Sequence, residues 1–239
     1  MEMKTLGVIG GLGPMATAYF MQLVIEMTEA SSDQEHIPMI IYNCPQIPDR
    51  TGYLLGKSKE NPGPQIIDCG RKISKAGAEL IAIPCITAHA LYPEIEQELD
   101  APVLHIIRET AEYLKKEGIH KVGLEATDGT VQTKVFQEEL ERQGIEVILP
   151  SKEKQEMVMH IIYNNVKAGR RVDMDRFQQI EEELHEKGAE VIILGCTELS
   201  MVSRDEKIGH GYLDAMEVLA RAAVIKCGRL KPKYNRLLT

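Results

Sequence analysis

Nothing in the 239-residue sequence approaches the run of about 18 apolar residues that a membrane-crossing helix needs. The N-terminus also lacks the layout of a signal peptide. From Lys4 it passes straight into the strand-like LGVIGG, with no basic segment leading an apolar one. Positive charge is short as well: 28 Lys and Arg stand against 36 Asp and Glu, a formal net charge of -8. That balance excludes the basic footprint of a nucleic-acid binder and sets up no attraction to anionic lipid. The five cysteines form neither a CxxC pair nor a Cys/His ligand spacing, so neither a disulfide framework nor a zinc site is expected. Together these absences point to a cytoplasmic chain whose thiols stay thiols.

What is present is an ordinary globular composition, 44% apolar and 27% charged. The length suits one large domain or two of about 100 to 120 residues. The organising stretch is GAELIAIPCITAH at 77–89, because GAEVIILGCT at 188–197 says nearly the same thing again. Each copy opens Gly-Ala-Glu, runs through a short apolar segment and delivers a cysteine at the same offset, Cys85 and Cys196. Such a segment reads as a buried parallel strand, and ligands of open α/β sheets bind beyond the carboxyl ends of the strands.

The repeat extends beyond these strands. Setting HKVGLEATDGTVQTKVF against KTLGVIGGLGPMATAYF pairs Gly7 with Gly123, Gly13 with Gly129, Thr17 with Thr133 and Phe20 with Phe136. Two half-repeats with the same strand and cysteine order predict an α/β fold of two pseudo-symmetric lobes. Each lobe is expected to be a parallel sheet flanked by helices, with the site in the cleft between them. Residues 1–106 form the N-terminal lobe, completed by a C-terminal helical stretch at 211–239, and 107–210 the second. In the first lobe, strands are expected at 5–10, 38–43 and before Cys85, with a fourth at 102–106. Helices are expected at 15–30, 64–75 and 87–99. In the second, helices are expected at 108–117, up to 142, across 156–167 and at 174–187. The Pro- and Gly-rich loop from Cys44 to Gly63, about 20 residues, is long enough to suggest a functional role.

Gly11-Leu12-Gly13-Pro14-Met15-Ala16 matches the dinucleotide fingerprint G-x-G-x-x-A, but the second strand ends in Tyr42-Asn43, with no acid there to hold a ribose. The milder reading is a tight turn that brings backbone amides near Leu12 to a carboxylate. An isolated strand cysteine is ordinarily core filling. Cys85 and Cys196 differ in three ways. Each follows a Pro or Gly, each precedes a polar cluster (Thr87 and His89; Thr197 and Glu198), and the two match under the repeat. A helix beginning after each is expected to lower the thiol pKa. Cys44, Cys69 and Cys227 have no such setting and are assigned to packing or surface.

Taken together, VIGGLGP, IPDRT, IPCITAH, ATDGT, VKAG and LGCTEL resemble, in order and over nearly the whole chain, the aspartate/glutamate racemases. These are cofactor-independent enzymes with two pseudo-symmetric lobes. The resemblance implies Cys85 and Cys196 as catalytic acid/bases, and Arg50 and Lys167 as ligands of the substrate's side-chain carboxylate. It also implies a small acidic amino acid as partner and a homodimer. Two positions depart from the family pattern. Ile86 stands where Asn usually follows the first cysteine, and Glu125 stands at a mid-strand position matching Ile9. A buried carboxylate there costs several kcal/mol unless neutralised or paired.

Racemisation then needs a thiolate on one face of Cα and a thiol on the other. No pyridoxal lysine, nucleotide or metal site is evident, so no cofactor is expected. The substrate carboxylate would be met by backbone near Leu12 and Ile86 and by the hydroxyls of Thr87, Thr127, Thr130 and Thr197. His89 and Glu198 would support the thiols. Two other readings stay open: related carbanion chemistry on a dicarboxylate, of the maleate isomerase or decarboxylase type, and a binding protein with reduced turnover.

Overall fold

A computed structural model describes residues 3–206 and 208–238. Two parallel sheets organise it. In the first, β1 (Leu6–Gly10) lies between β2 (Met39–Asn43) and β3 (Leu80–Ala82). In the second, β4 (Lys121–Ala126) lies between β5 (Glu146–Ile148) and β6 (Val191–Gly195), and β7 (Tyr212–Asp214) extends the far side of β6. The order β2-β1-β3 thus recurs as β5-β4-β6, which is the duplication read from the sequence.

The repeat-matched residues do matched work. Thr17 donates to the carbonyl of Gly13 at 2.9 Å, and Thr133 donates to that of Gly129 at 2.7 Å. Phe20 and Phe136 are both fully buried, the latter on α7 (Val135–Arg142), which follows the short α6 (Asp128–Gln132).

Alternation along the strands explains three packed cores. Leu6 and Val8 of β1, with Val191 and Ile193 of β6, face a shared central core. That core also takes in α1 (Pro14–Met27), α5 (Ile106–Lys116) and α11 (Ala215–Cys227). Ile9 and Ile81 face the outer side of the first sheet, under α3 (Gly63–Lys75) and α4 (Tyr92–Glu98). Ile192 and Leu194 face the outer side of the second, against α8 (Lys152–His160) and α9 (Met174–Glu186). Both sheets are therefore covered on both faces, which is why their strands read as continuous apolar runs. Among the described residues, no helix is long and apolar enough to cross a membrane.

Several expected elements differ in detail. The strand expected at 102–106 is reduced to one parallel bridge, Ile81 to Val103. The chain leaves the sheet there because α5 begins at Ile106, capped by His105, whose ring accepts from the Arg108 amide at 3.2 Å. The single helix expected at 87–99 is a 3₁₀ segment (Ile86–Leu91) followed by α4. Pro93, in the first turn of α4, has no N–H with which to continue a preceding helix. Residues 212–214 pair with β6 before α11 starts, so the helix expected from Gly211 begins at Ala215. The long loop after β2 contains a short helix, α2 (Arg50–Leu54), capped by the Asp49 carboxylate, which accepts from the Gly52 amide at 2.6 Å.

Candidate active site

Cys85 follows β3 and Cys196 follows β6, the matched strands of the two sheets. Both line one cavity. Cys196 is also the N-cap of α10 (Thr197–Asp205). Leu12, Arg50, Ile86, Thr87, Thr127, Lys167, Thr197 and Glu198 line the cavity as well, so nearly all the residues picked from the sequence converge. The cavity is closed down to about 10 Å³, the room of one water molecule. Outside it lies a vestibule of about 530 Å³ lined by Pro14, Met15, Pro45, Ile47 and Met201 among others. Leu12, Asp49, Arg50, Lys167 and Glu198 border both spaces.

Arg50 is almost wholly buried at the start of α2. Its Nη2 donates to the Leu12 carbonyl at 2.8 Å, and its Nη1 to the carbonyls of Ile47 and Pro48 at 3.3 and 3.1 Å. Its Nε–H is buried with no protein partner. Burial works against its charge, but Cys85 and then Asp49 more than offset that, and its pKa is raised. The other cation serves the other cysteine. Lys167 lies just after a π-helical segment, Ile161–Val166, with its ammonium 3.4 Å from Glu198 Oε1 and 4.9 Å from the centre of the Tyr163 ring. Burial works against its charge, but Glu198 and then Cys196 more than offset that, and its pKa is raised.

The second carboxylate oxygen of Glu198 accepts from the Cys196 thiol at 3.0 Å. Close approach of Glu198 to the turn after β1 is possible because position 13 is glycine. A Cβ on Gly13 would stand 3.3 Å from Oε1, tight for a real contact. Burial first, and the Glu198 charge second, push the Cys196 thiol well above its ordinary pKa. At Cys196 this is opposite to the lowering expected from the following helix: desolvation and a neighbouring carboxylate outweigh one helix end. At Cys85 the following segment is a 3₁₀ helix instead of an α-helix.

The threonines form a buried hydroxyl cluster across the lobes. Thr87 and Thr127 Oγ1 lie 3.2 Å apart, as do Thr87 and Thr130, and Thr51 donates to Thr127 at 3.4 Å. Thr130 is fully buried and does not line the cavity; it backs Thr127, 3.2 Å away. His89 does not reach the Cys85 thiol. Its Nδ1 pairs with the Cys85 carbonyl at 3.0 Å, and its Nε2 takes the Ile106 amide proton at 3.3 Å. Burial lowers its pKa, so the ring is a neutral tie between the cysteine backbone and the start of α5.

Three lining residues stand outside the sequence expectations: Asp49, Thr51 and Tyr163. Asp49 and Thr51 flank Arg50 in IPDRT, and that proximity was the available signal. Tyr163 had none, because its position depends on the π-helical widening. Such widenings are frequent at functional sites. Among the described residues, no cluster of His, Cys, Asp and Glu could hold a metal ion.

The family model for Asp/Glu/Hydantoin racemase matches residues 9–223. The broad specificity amino-acid racemase RacX of Bacillus subtilis is 30% identical over 227 residues, covering 92% of this chain and 96% of that protein. The aspartate racemase of Picrophilus torridus superposes with a TM-score of 0.83 at 30% identity, covering 97% of this chain and 98% of the other. An aspartate racemase homologue from Pyrococcus horikoshii superposes with a TM-score of 0.76 at 28% identity, covering 94% and 99%. With the repeated sheet order, the paired strand-end cysteines and a match from the first strand into the last helix, the chain belongs to the Asp/Glu/hydantoin racemase family of isomerases.

Proposed function

We propose that the chain racemises an acidic amino acid, aspartate ahead of glutamate, with Cys85 and Cys196 as the two acid/bases and no cofactor. The observation that carries this is the shared cavity at the matched ends of β3 and β6. One thiolate takes the Cα proton, and the other thiol gives its proton to the opposite face of the planar carbanion. The reverse reaction exchanges the roles. Cys196, its pKa raised by burial and by Glu198, enters as the thiol. The hydroxyls of Thr87, Thr127 and Thr197 are candidates to hold the α-carboxylate.

An amino acid needs far more room than one water molecule. Entry therefore requires the residues between vestibule and cavity to move. Glu198 already occupies Lys167 as a substrate's distal carboxylate would. Binding of an acidic substrate then amounts to exchanging one carboxylate on Lys167 for another, with the free Nε–H of Arg50 as a second donor.

A broader substrate range is the second reading. It is favoured by the prior pairing of Lys167 with Glu198, by the spending of two Arg50 nitrogens on carbonyls, and by the similarity to a racemase named for broad specificity. Cα deuterium exchange in D2O with aspartate, glutamate, alanine and serine separates the two. The first reading expects aspartate fastest, glutamate slower, and the neutral pair negligible. Equal exchange of alanine and aspartate would sink the acidic assignment.

A further inference from the structure

We propose that Cys44 and Cys69 are a modification site, a thiol pair that a peroxide converts into a reversible disulfide and that thereby slows turnover at the neighbouring site. Cys44 follows β2 directly and is partly exposed, whereas Cys69 is buried on α3. Cys44 packs against the apolar cluster that holds Cys69, where α3 covers the end of β2, and its thiol donates to Gln46 Oε1 at 3.7 Å. That contact is reinforced by Lys72 of α3, whose ammonium lies 5.2 Å from the centre of the Tyr42 ring of β2. Neither thiol lines the cavity that holds Cys85 and Cys196, and both are free.

The division of exposure suits the chemistry. The accessible Cys44 sulfur attacks the peroxide O–O bond; the sulfur is oxidised to sulfenic acid and the other oxygen leaves as water or alcohol. The Cys69 sulfur then attacks the sulfenic sulfur. An S–S bond forms, the S–O bond breaks, and hydroxide leaves with the Cys69 proton as a second water. Burial, followed by the Cys44 neighbour, pushes the Cys69 thiol up to about 12, so it stays a thiol until that attack. A dithiol reductant reverses the bond.

The consequence for turnover comes from the backbone of Cys44. Gly11 has φ +91°, and a Cβ there would lie 2.4–2.6 Å from the Cys44 backbone atoms, so the turn after β1 rests against this residue. The Cys44 amide donates to the Gly10 carbonyl at 3.1 Å, and its carbonyl accepts from Ile47 at 3.3 Å. Leu12, Pro45 and Ile47, on the two segments so joined, line the vestibule. A Cys44 sulfur drawn onto α3 therefore moves the floor that Arg50 grips through the Leu12 carbonyl.

The test treats the full chain and its Cys69→Ala and Cys44→Ser variants with equimolar hydrogen peroxide, followed by non-reducing tryptic mapping. Arg50, Lys57 and Lys59 lie between the two cysteines, so trypsin separates them unless they are bonded. The parent should give a linked Cys44–Cys69 peptide that dithiothreitol dissolves, with kcat reduced at least fivefold and recovered in step. The variants should give no linked peptide, and should lose only the activity attributable to oxidation of the other thiols. The mapping needs no turnover, so it is independent of the substrate assignment. Cys44 found as sulfinic acid with Cys69 unmodified overturns the pair. A linked protein that turns over like the reduced one overturns its effect on the site.

Discussion

Glu198 accepts a hydrogen bond from the Cys196 thiol at 3.0 Å while its other oxygen meets Lys167 at 3.4 Å. The carboxylate therefore sets the resting state of one of the two proposed acid/bases and occupies one of the two cations near it. It also lines both the vestibule and the cavity, on the route proposed for the substrate.

Glu198→Gln should keep the volume and remove the charge. Because that charge raises the thiol, the apparent pKa of Cys196 should fall. Alkylation of Cys196 by iodoacetamide, followed by mass spectrometry across pH, reads this directly. A hydrogen bond to a charged group contributes about 1.5–3 kcal/mol, so turnover should drop by about 10- to 100-fold. An unmoved alkylation profile would mean that burial alone controls the thiol.

Cys85→Ser and Cys196→Ser should each abolish racemisation, with losses of about 10²–10⁴ or more in kcat, while circular dichroism stays native. Serine nearly matches the shape but is a far weaker acid than a thiol at neutral pH. Near-normal turnover in both directions by either variant would eliminate the two-base scheme.

Arg50→Ala and Lys167→Ala should part company. Arg50 holds the carbonyls of Leu12, Ile47 and Pro48, and an unpaired buried acceptor costs about 1–3 kcal/mol. Its loss should lower the Tm as well as aspartate exchange. Lys167 meets a carboxylate and a ring, and its removal should weaken exchange with little change in Tm. Thermal melts beside Cα exchange distinguish them. Aspartate exchange that survives both substitutions would rule out a cationic site for the distal carboxylate.

Glu125 makes stability fall with rising pH. It is fully buried in β4, with neither carboxyl oxygen hydrogen-bonded. Burial, then the Glu181 charge, raise its pKa from 4.5 to about 8. The folded state thus keeps a proton that the unfolded chain releases, so this residue's contribution declines from about pH 4.5 to pH 8 and then levels. Glu125→Leu should add little to Tm at pH 5 and several degrees at pH 8, on the order of a few kcal/mol. Equal gains at both pH values would show that the carboxyl is not titrating there.

The duplication, the parallel strands and the meeting of two cysteines were legible because they rest on local pattern: apolar runs of strand length, glycine turns, and the same order of both repeated. Burial of Glu125 could be read in the same way, since Ile9 occupies the matching place. Other features depended on residues far apart in the chain. Pairing of Tyr212–Asp214 with β6 needs the second sheet to be in place, for three residues carry too little pattern of their own. Tyr163 and Lys167 reach the cavity only because the helix widens at 161–166, and Glu198 reaches Lys167 only once α10 lies beside that segment. The raised pKa of Cys196 is likewise tertiary. A sequence shows that a helix starts after the cysteine and that Glu198 stands two residues on, but the burial that leads the shift exists only in the folded chain.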